Sequence, residues 1–383
     1  MSTTAPRGFR AAGVAAGLKS SGAPDVALVV NDGPGDAAAA VFTTNRFPAA
    51  PVQWSRQVLS TGRVRAVVLN SGGANACTGP EGFGDTHATA EHVAQELGIG
   101  AIDVAVASTG LIGVRLPMGE LTAGVTAAAG ELRADGGDDA ARAIMTTDSV
   151  PKTTVQARDG WTVGGMAKGA GMLAPSLATM LVVLTTDAVV DAGTLQTALR
   201  AATAVSFERV DSDGCLSTND TVLVLASGAS GVTPGAEEVT EALTAAATDL
   251  AMQLLADAEG STKDIAITVR GAATVEDALT AGRACARNNL LKTALFGNDP
   301  NWGRVLAAIG TTDATFEPDR VDVTINGVTV CRGGAIGDPR EGVDLTGRAI
   351  TIDVDLRAGG EQATIWTNDL SLAYVHENSA YST

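Results

Sequence analysis

Short apolar runs alternate with stretches of helical period along most of the chain. DVALVVND, AAAAVFTT, RVRAVVLNSG, IDVAVAST, TMLVVLTTD, TNDTVLVLASG and KDIAITVRGA have the length and composition of strands. Between them, DTHATAEHVAQELG opens on Asp85 as a candidate cap, and a second helical pattern runs from Met118 to Leu132. A third, capped by Asp191, continues to about Val205, and EEVTEALTAAATDLAMQLLAD and EDALTAGRACARNNLLKTAL complete the set. Asp159-Gly160 and Asn326-Gly327 each stand between strand-like runs, which predicts hairpin turns. AITIDVDLR places Ile350, Ile352, Val354 and Leu356 on one face. The pattern predicts an α/β fold, an α+β layered sandwich, with a β-rich portion from about residue 300. No long linker, repeat or low-complexity tract divides it.

Composition narrows the chemistry. The chain has 383 residues and a net charge of −17, from 26 basic and 43 acidic residues. That field repels polyanions, so neither nucleic acid nor an anionic membrane is an expected partner. No apolar run is long enough to cross a bilayer, and MSTTAPRGFRAAGVAAGLK lacks a signal-peptide core, which predicts a cytoplasmic protein. Cys77, Cys215, Cys285 and Cys331 form no CxxC pair, and His87, His92 and His376 have no ligand spacing, so neither a disulfide framework nor a metal site is expected. GGMAKGAG lacks the ending of a phosphate-binding loop, no dinucleotide fingerprint follows the first strand, and no GxSxG elbow occurs. DSDGCLSTND lacks the closing glutamate of a calcium loop. No cofactor is expected. Only five basic residues are lysines: Lys19, Lys152, Lys168, Lys263 and Lys292. A chain that uses arginine for its general positive charge marks each lysine as a candidate for a specific task, although Lys19 reads as an ordinary surface residue.

One stretch, KGAGMLAPSLATMLVVLTTD, sets Thr179 at the mouth of an apolar strand behind a glycine-rich turn. A threonine hydroxyl is a poor nucleophile unless a base takes its proton. With three histidines in the whole chain, the simplest base is the residue's own α-amine, freed if the chain breaks between Ala178 and Thr179. An α-amine titrates near pH 8, so part of it is neutral at cellular pH. The plain alternative is that a threonine opening a strand serves packing.

KGAGMLAPSLATML, MTTDSVPK, ASTGLIG, LNSGGANACTG, DAEGSTKD, LLKTALFGNDPNWGR and YVHENSAYST together resemble the glutamate N-acetyltransferase/ornithine acetyltransferase family of arginine biosynthesis, often called ArgJ. The likeness runs from GFRAAGVAAGLK to the last residue. It implies a self-cleaving fold like that of N-terminal-nucleophile enzymes (DmpA/ArgJ-like). The resemblance places the cut between Ala178 and Thr179, which would give an α chain of residues 1–178 and a β chain of residues 179–383. It also implies transfer of acetyl from N2-acetylornithine to glutamate through an acetyl ester on Thr179, with acetyl-CoA as a further donor in some members. Thr109 and Gly110 match the family's oxyanion hole. Thr146, Lys168, Thr179, Glu259, Asn378 and Thr383 match its substrate contacts, with Lys168 for a carboxylate and Glu259 for an amine. The family assembles as a heterotetramer of two α and two β chains. Leu111, Ser149, Ala258 and Cys215 depart from the family pattern and bear on substrate preference more than on the reaction.

Two other readings compete with transfer. An N-terminal-nucleophile aminopeptidase or amidohydrolase would use the same amine and hydroxyl but pass the acyl group to water. A binding protein for acidic amino acids would remain uncleaved.

Overall fold

The computed structural model describes residues 2–173 and 180–380. In chain order the first half contains β1 (Phe9–Val14), β2 (Val26–Asn31), β3 (Ala37–Phe42), α1 (Ala50–Leu59), β4 (Ala66–Ser71), α2 (Gly79–Leu97), β5 (Val104–Thr109), α3 (Met118–Gly130), α4 (Gly137–Ala143), β6 (Lys152–Ala157) and β7 (Thr162–Lys168). There follow β8 (Leu181–Thr186), α5 (Ala192–Val205), β9 (Thr221–Ala226), α6 (Ala236–Ala256), β10 (Asp264–Ala272), α7 (Val275–Ala286), α8 (Asn289–Phe296) and α9 (Trp302–Ile309). The chain ends with β11 (Asp322–Ile325), β12 (Val328–Arg332), β13 (Ala335–Ile336), β14 (Ala349–Asp355), β15 (Glu361–Asn368) and α10 (Leu372–Ala380).

The strands form three sheets among the described residues, ordered β1-β2-β4-β5, β3-β9-β8-β7-β6 and β13-β12-β11-β14-β10-β15. The first two pack face to face, and strict alternation along the second sheet shows how. Ala38, Ala40, Met166, Leu181, Val183, Leu223 and Leu225 join the core shared with the first sheet. Their neighbours Ala39, Ala167, Val182, Leu184, Val222 and Val224 point the other way, onto α5 and α6. Side chains two apart on a strand share a face, so one strand feeds two cores. Helices α2 and α3 cover the outer face of the first sheet, which completes a helix–sheet–sheet–helix sandwich. The α+β layered class predicted from the pattern is the class observed.

Helices α1 and α4 each pack on strands of both sheets. The free edge of β5 is protected by α1: Trp54 Nε1 donates to Val104 O at 3.0 Å, and Ser55 Oγ donates to Val106 O at 2.7 Å while accepting from Val106 N at 2.9 Å. An edge left bare would be a template for pairing with another chain. The third sheet packs α7, α8 and α9 on one face. Its strand β10 begins at Asp264, so the β-rich portion takes an inner strand from well before residue 300.

Two predicted helices differ in detail. Helix α2 begins at Gly79, not Asp85, because Pro80 suits the first turn; Asp85 is buried within it and pairs with Arg115 at 2.7 Å. The single helix predicted through EDALTAGRACARNNLLKTAL is two, α7 and α8. Asn288 interrupts it by accepting from Leu291 N and capping the second. The two hairpins fall where predicted, between β6 and β7 and between β11 and β12, where Asn326 and Gly327 both have positive φ.

Leu184 is fully buried between the second sheet and its helices. Leu184→Ala is expected to lower unfolding free energy by about 3 kcal/mol, measured by denaturant titration. Ile336→Ser, at a position 84% exposed, is the control and should change it little.

Candidate functional site

Strand ends from both sandwiched sheets meet at one edge. There β5 ends in Thr109, β7 ends in Lys168, and β8 and β9 begin at Leu181 and Thr221. In register, Lys168 faces Leu181 and Leu181 faces Thr221. The strands are buried along their length, so polar side chains reach solvent where they end. At this edge lies a cleft of about 170 Å³. Thr109, Gly110, Thr146, Lys168, Glu259 and Asn378 all line it. Six positions spread over some 270 residues of sequence are thus brought to one cleft. Ala178, Thr179 and Thr383 lie outside the described residues.

The Thr109-Gly110 turn is held tightly. Thr109 O accepts from Gly72 N and Gly73 N, each at 3.0 Å. Gly110 has φ +129°, and a Cβ there would lie 2.6 Å from Gly73 N. Close backbone approach at positive φ leaves room for glycine alone. Asn219, in the DSDGCLSTND loop, ties this turn to the second sheet: its Nδ2 donates to Ala74 O at 2.7 Å and Ser108 O at 2.8 Å.

Lys168 is buried and donates through Nζ to Thr109 Oγ1 at 3.3 Å. Burial pushes its ammonium below the usual lysine range, and the charge of Lys152 adds to that, while Asp148, Asp220 and Glu259 act in the opposite sense. Asp148 receives Lys152 Nζ at 2.7 Å and Gly169 N–H at 2.6 Å. Burial alone would raise Asp148, but the two ammonium groups and the Gly169 N–H hold it down to about 2. Glu259 closes the other side, packed so near Gly171 that a Cβ there would lie 2.6 Å from its carboxylate. Asp213 stands beside it, accepting from Met172 N at 2.7 Å and Cys215 N at 3.0 Å, with its acid pushed up by burial.

Helix α10 lays Tyr374 and Asn378 on the cleft. Ser371 anchors it, donating to Gly260 O at 2.5 Å and accepting from Tyr374 N at 2.9 Å. Burial and the carboxylates of Asp213 and Glu259 push the Tyr374 phenol up to about 12, so it stays a neutral hydroxyl. Behind Asp213, Glu259 and Tyr374 a smaller chamber of about 60 Å³ is floored by Lys292, which burial pushes down to about 8.

Several residues of the site were missed from sequence or left without a role there. Asp148 and Lys152 lie in the MTTDSVPK block but had no task, Asp213 and Asn219 lie in the acidic loop, and Tyr374 lies in a helix no pattern predicted. The scarcity of lysine was the usable signal. Lys152, Lys168, Lys263 and Lys292 are all buried, and Lys19, read as a surface residue, is half-buried with Nζ donating to Met145 O at 2.6 Å and Pro24 O at 2.8 Å. Among the described residues, no cluster of three His, Cys, Asp or Glu has metal-holding geometry, the four cysteines are free, and no helix is long and apolar enough to cross a membrane.

The cleft joins a buried ammonium, carboxylates and a glycine turn where the ends of two sheets meet, a polar site suited to a small charged molecule. The chain belongs to the ArgJ family, whose model matches residues 10–383. It is 65% identical over 382 residues, the full length of both chains, to the arginine biosynthesis bifunctional protein ArgJ of Streptomyces coelicolor. It is 63% identical over 383 residues, again the full length of both, to the protein of that name from Thermobifida fusca. Among solved structures it is similar to the ornithine acetyltransferase of Mycobacterium tuberculosis complexed with ornithine. The identity is 63%, the match covers 47% of this chain and 96% of that one, and the TM-score is 0.45.

Asp220 stands beside Met180, just ahead of β8. It is fully buried, its Oδ1 accepts from Met180 N at 3.1 Å, and its Oδ2 has no hydrogen-bond partner among the described residues. Burial pushes its acid well above the usual carboxyl range. A raised folded pKa disfavours the folded state as pH climbs from the ordinary carboxyl value towards the folded one. Thermal unfolding should therefore show stability falling over that interval, and Asp220→Asn should flatten the fall while raising the melting temperature at neutral pH.

Proposed function

We propose that this enzyme of arginine biosynthesis moves acetyl from N2-acetylornithine to glutamate through an ester on Thr179, after the chain has cut itself between Ala178 and Thr179. The observation that carries the reading is the convergence of Thr109, Gly110, Thr146, Lys168, Glu259 and Asn378 on one cleft, at the edge where β8 starts two residues after Thr179.

The α-amine of Thr179 takes the proton from its own Oγ as Oγ attacks the acetyl carbonyl. Negative charge gathers on the carbonyl oxygen, facing the Gly110 N–H and the Thr109 hydroxyl. Lys168 donates to Thr109 Oγ1, which leaves the hydroxyl proton of Thr109 free to point at that oxygen. One such donor contributes about 3 kcal/mol to the transition state. Collapse breaks the amide bond, and the nitrogen of ornithine leaves with the proton held by the α-amine. The amine of glutamate then attacks the ester, passes its proton to the same base, and departs as N-acetylglutamate with Thr179 restored. Lys168 receives the substrate carboxylate and Glu259 a substrate amine. The chemistry asks for no metal or cofactor. The enzyme acts in the cytoplasm as a heterotetramer of two chains of residues 1–178 and two of residues 179–383; acetyl-CoA serves as a further donor in some members of the family.

The purified protein is expected to run as two chains on a denaturing gel, and Thr179→Ala as one full-length chain without acetyl transfer. Acetyl transfer retained by that variant would remove Thr179 as the nucleophile. Ornithine release from acetylornithine should depend on glutamate; release at the same rate without it would favour the hydrolase reading.

A further inference from the structure

Three of the residues that line the cleft hang on one buried network of charges. Asp148 is 8% exposed, and each of its oxygens is engaged. Oδ2 accepts from the backbone N–H of Thr146 at 2.9 Å. Oδ1 accepts from the N–H of Gly169, the residue after Lys168, at 2.6 Å and from Lys152 Nζ at 2.7 Å. Lys152, fully buried, donates also to Asp257 Oδ2 at 2.6 Å. Asp257 stands two residues before Glu259 and takes the Ser149 N–H at 3.0 Å. The backbone of Glu259 is tied in turn to Ala170 O at 2.9 Å. A single carboxylate therefore links the turn bearing Thr146 to the strand end bearing Lys168, and Lys152 extends the link to the loop bearing Glu259.

Resting on the reading of Lys168 as the partner of a substrate carboxylate, we propose that Asp148 is a positioning residue of the cleft. It sets the spacing of Thr146 and Lys168 and keeps the Lys168 ammonium charged for that carboxylate. A backbone N–H held by an ionised oxygen is fixed more firmly than one held by a neutral acceptor. The charge matters as much as the geometry. Lys168 is faced by Asp148, Asp220 and Glu259, which favour its ammonium, and by Lys152 and Lys19, which oppose it. Removing the charge of Asp148 leaves Lys152 beside Lys168 without a shared counter-ion. The proton of Lys168 is then released at lower pH, and carboxylate binding is lost from the alkaline side.

The test is binding of L-ornithine to the self-processed enzyme, measured by titration calorimetry from about pH 7 to pH 10 for wild type, Asp148→Asn, Asp148→Glu and Lys168→Met. Taking the ratio of variant to wild-type Kd at each pH cancels the titration of ornithine itself. For Asp148→Asn the ratio should exceed one and climb by about tenfold per pH unit once Lys168 of the variant loses its proton. Asp148→Glu, which keeps the charge but moves it, should bind more weakly with a ratio that stays flat with pH. A flat ratio for Asp148→Asn, as expected of a purely structural residue, overturns the inference, whatever the change in melting temperature. Should Asp148→Asn fail to fold, wild-type binding by Asp148→Glu overturns it instead. Lys168→Met that binds ornithine like wild type sinks the reading of Lys168, a result separate from the behaviour of Asp148.

Discussion

The packing of two sheets face to face, each also covered by helices, constrains everything else in the molecule. Strands β2, β4, β5, β8 and β9 are buried at every position. Charged groups placed along them would lack water and partners, at a cost of several kcal/mol each. Chemistry is thus confined to where strands start and stop. Both sheets bring their strand ends to the same edge, and the cleft forms there.

That confinement explains the electrostatics. Groups at a strand end are half inside the sandwich, so burial shifts them strongly, and neighbours of opposite charge and backbone N–H donors restore them. Asp148 stays ionised because Lys152 and Lys168 stand against it, whereas Asp220, which has no ion pair among the described residues and only the charge of Lys168 in its favour, is pushed towards its neutral acid. The lysines follow one logic. A chain rich in arginine at its surface keeps lysine for enclosed positions, where a compact ammonium is surrounded by carbonyls or carboxylates, as Lys263 is by Leu345 O and Gly347 O. The C-terminal helix α10 belongs to the site for a different reason. Its polar face contributes Tyr374 and Asn378, and it is pinned to the Gly260 loop rather than buried by an apolar stripe.

Periodicity was sufficient for the class, most strands of the two sandwiched sheets and the long helices, since alternation with period two and helical spacing are written into neighbouring residues; β1, α1, α4, α9 and β15 were not predicted from it. It failed where a local signal was ambiguous. Asp85 looks like a cap but is a buried partner of Arg115, and Asn288 cuts one amphipathic pattern into two helices. Nor did any pattern mark α10, whose residues are exposed or half-buried.

For the site, the sequence alone determined the first candidates: the family motifs and the rarity of lysine singled out Thr109, Gly110, Thr146, Lys168, Glu259 and Asn378, but gave no role to Asp148, Asp213, Asn219 or Tyr374. What only the tertiary structure decided is how they work together. Thr109, Thr146, Lys168, Glu259 and Asn378 are distant in the chain, and neither their meeting nor the carboxylate that ties two of them together can be read from spacing. Sequence specifies which side chains carry charge. Burial and proximity, which exist only once the sheets have closed on each other, decide which of those charges survive and what they hold in place.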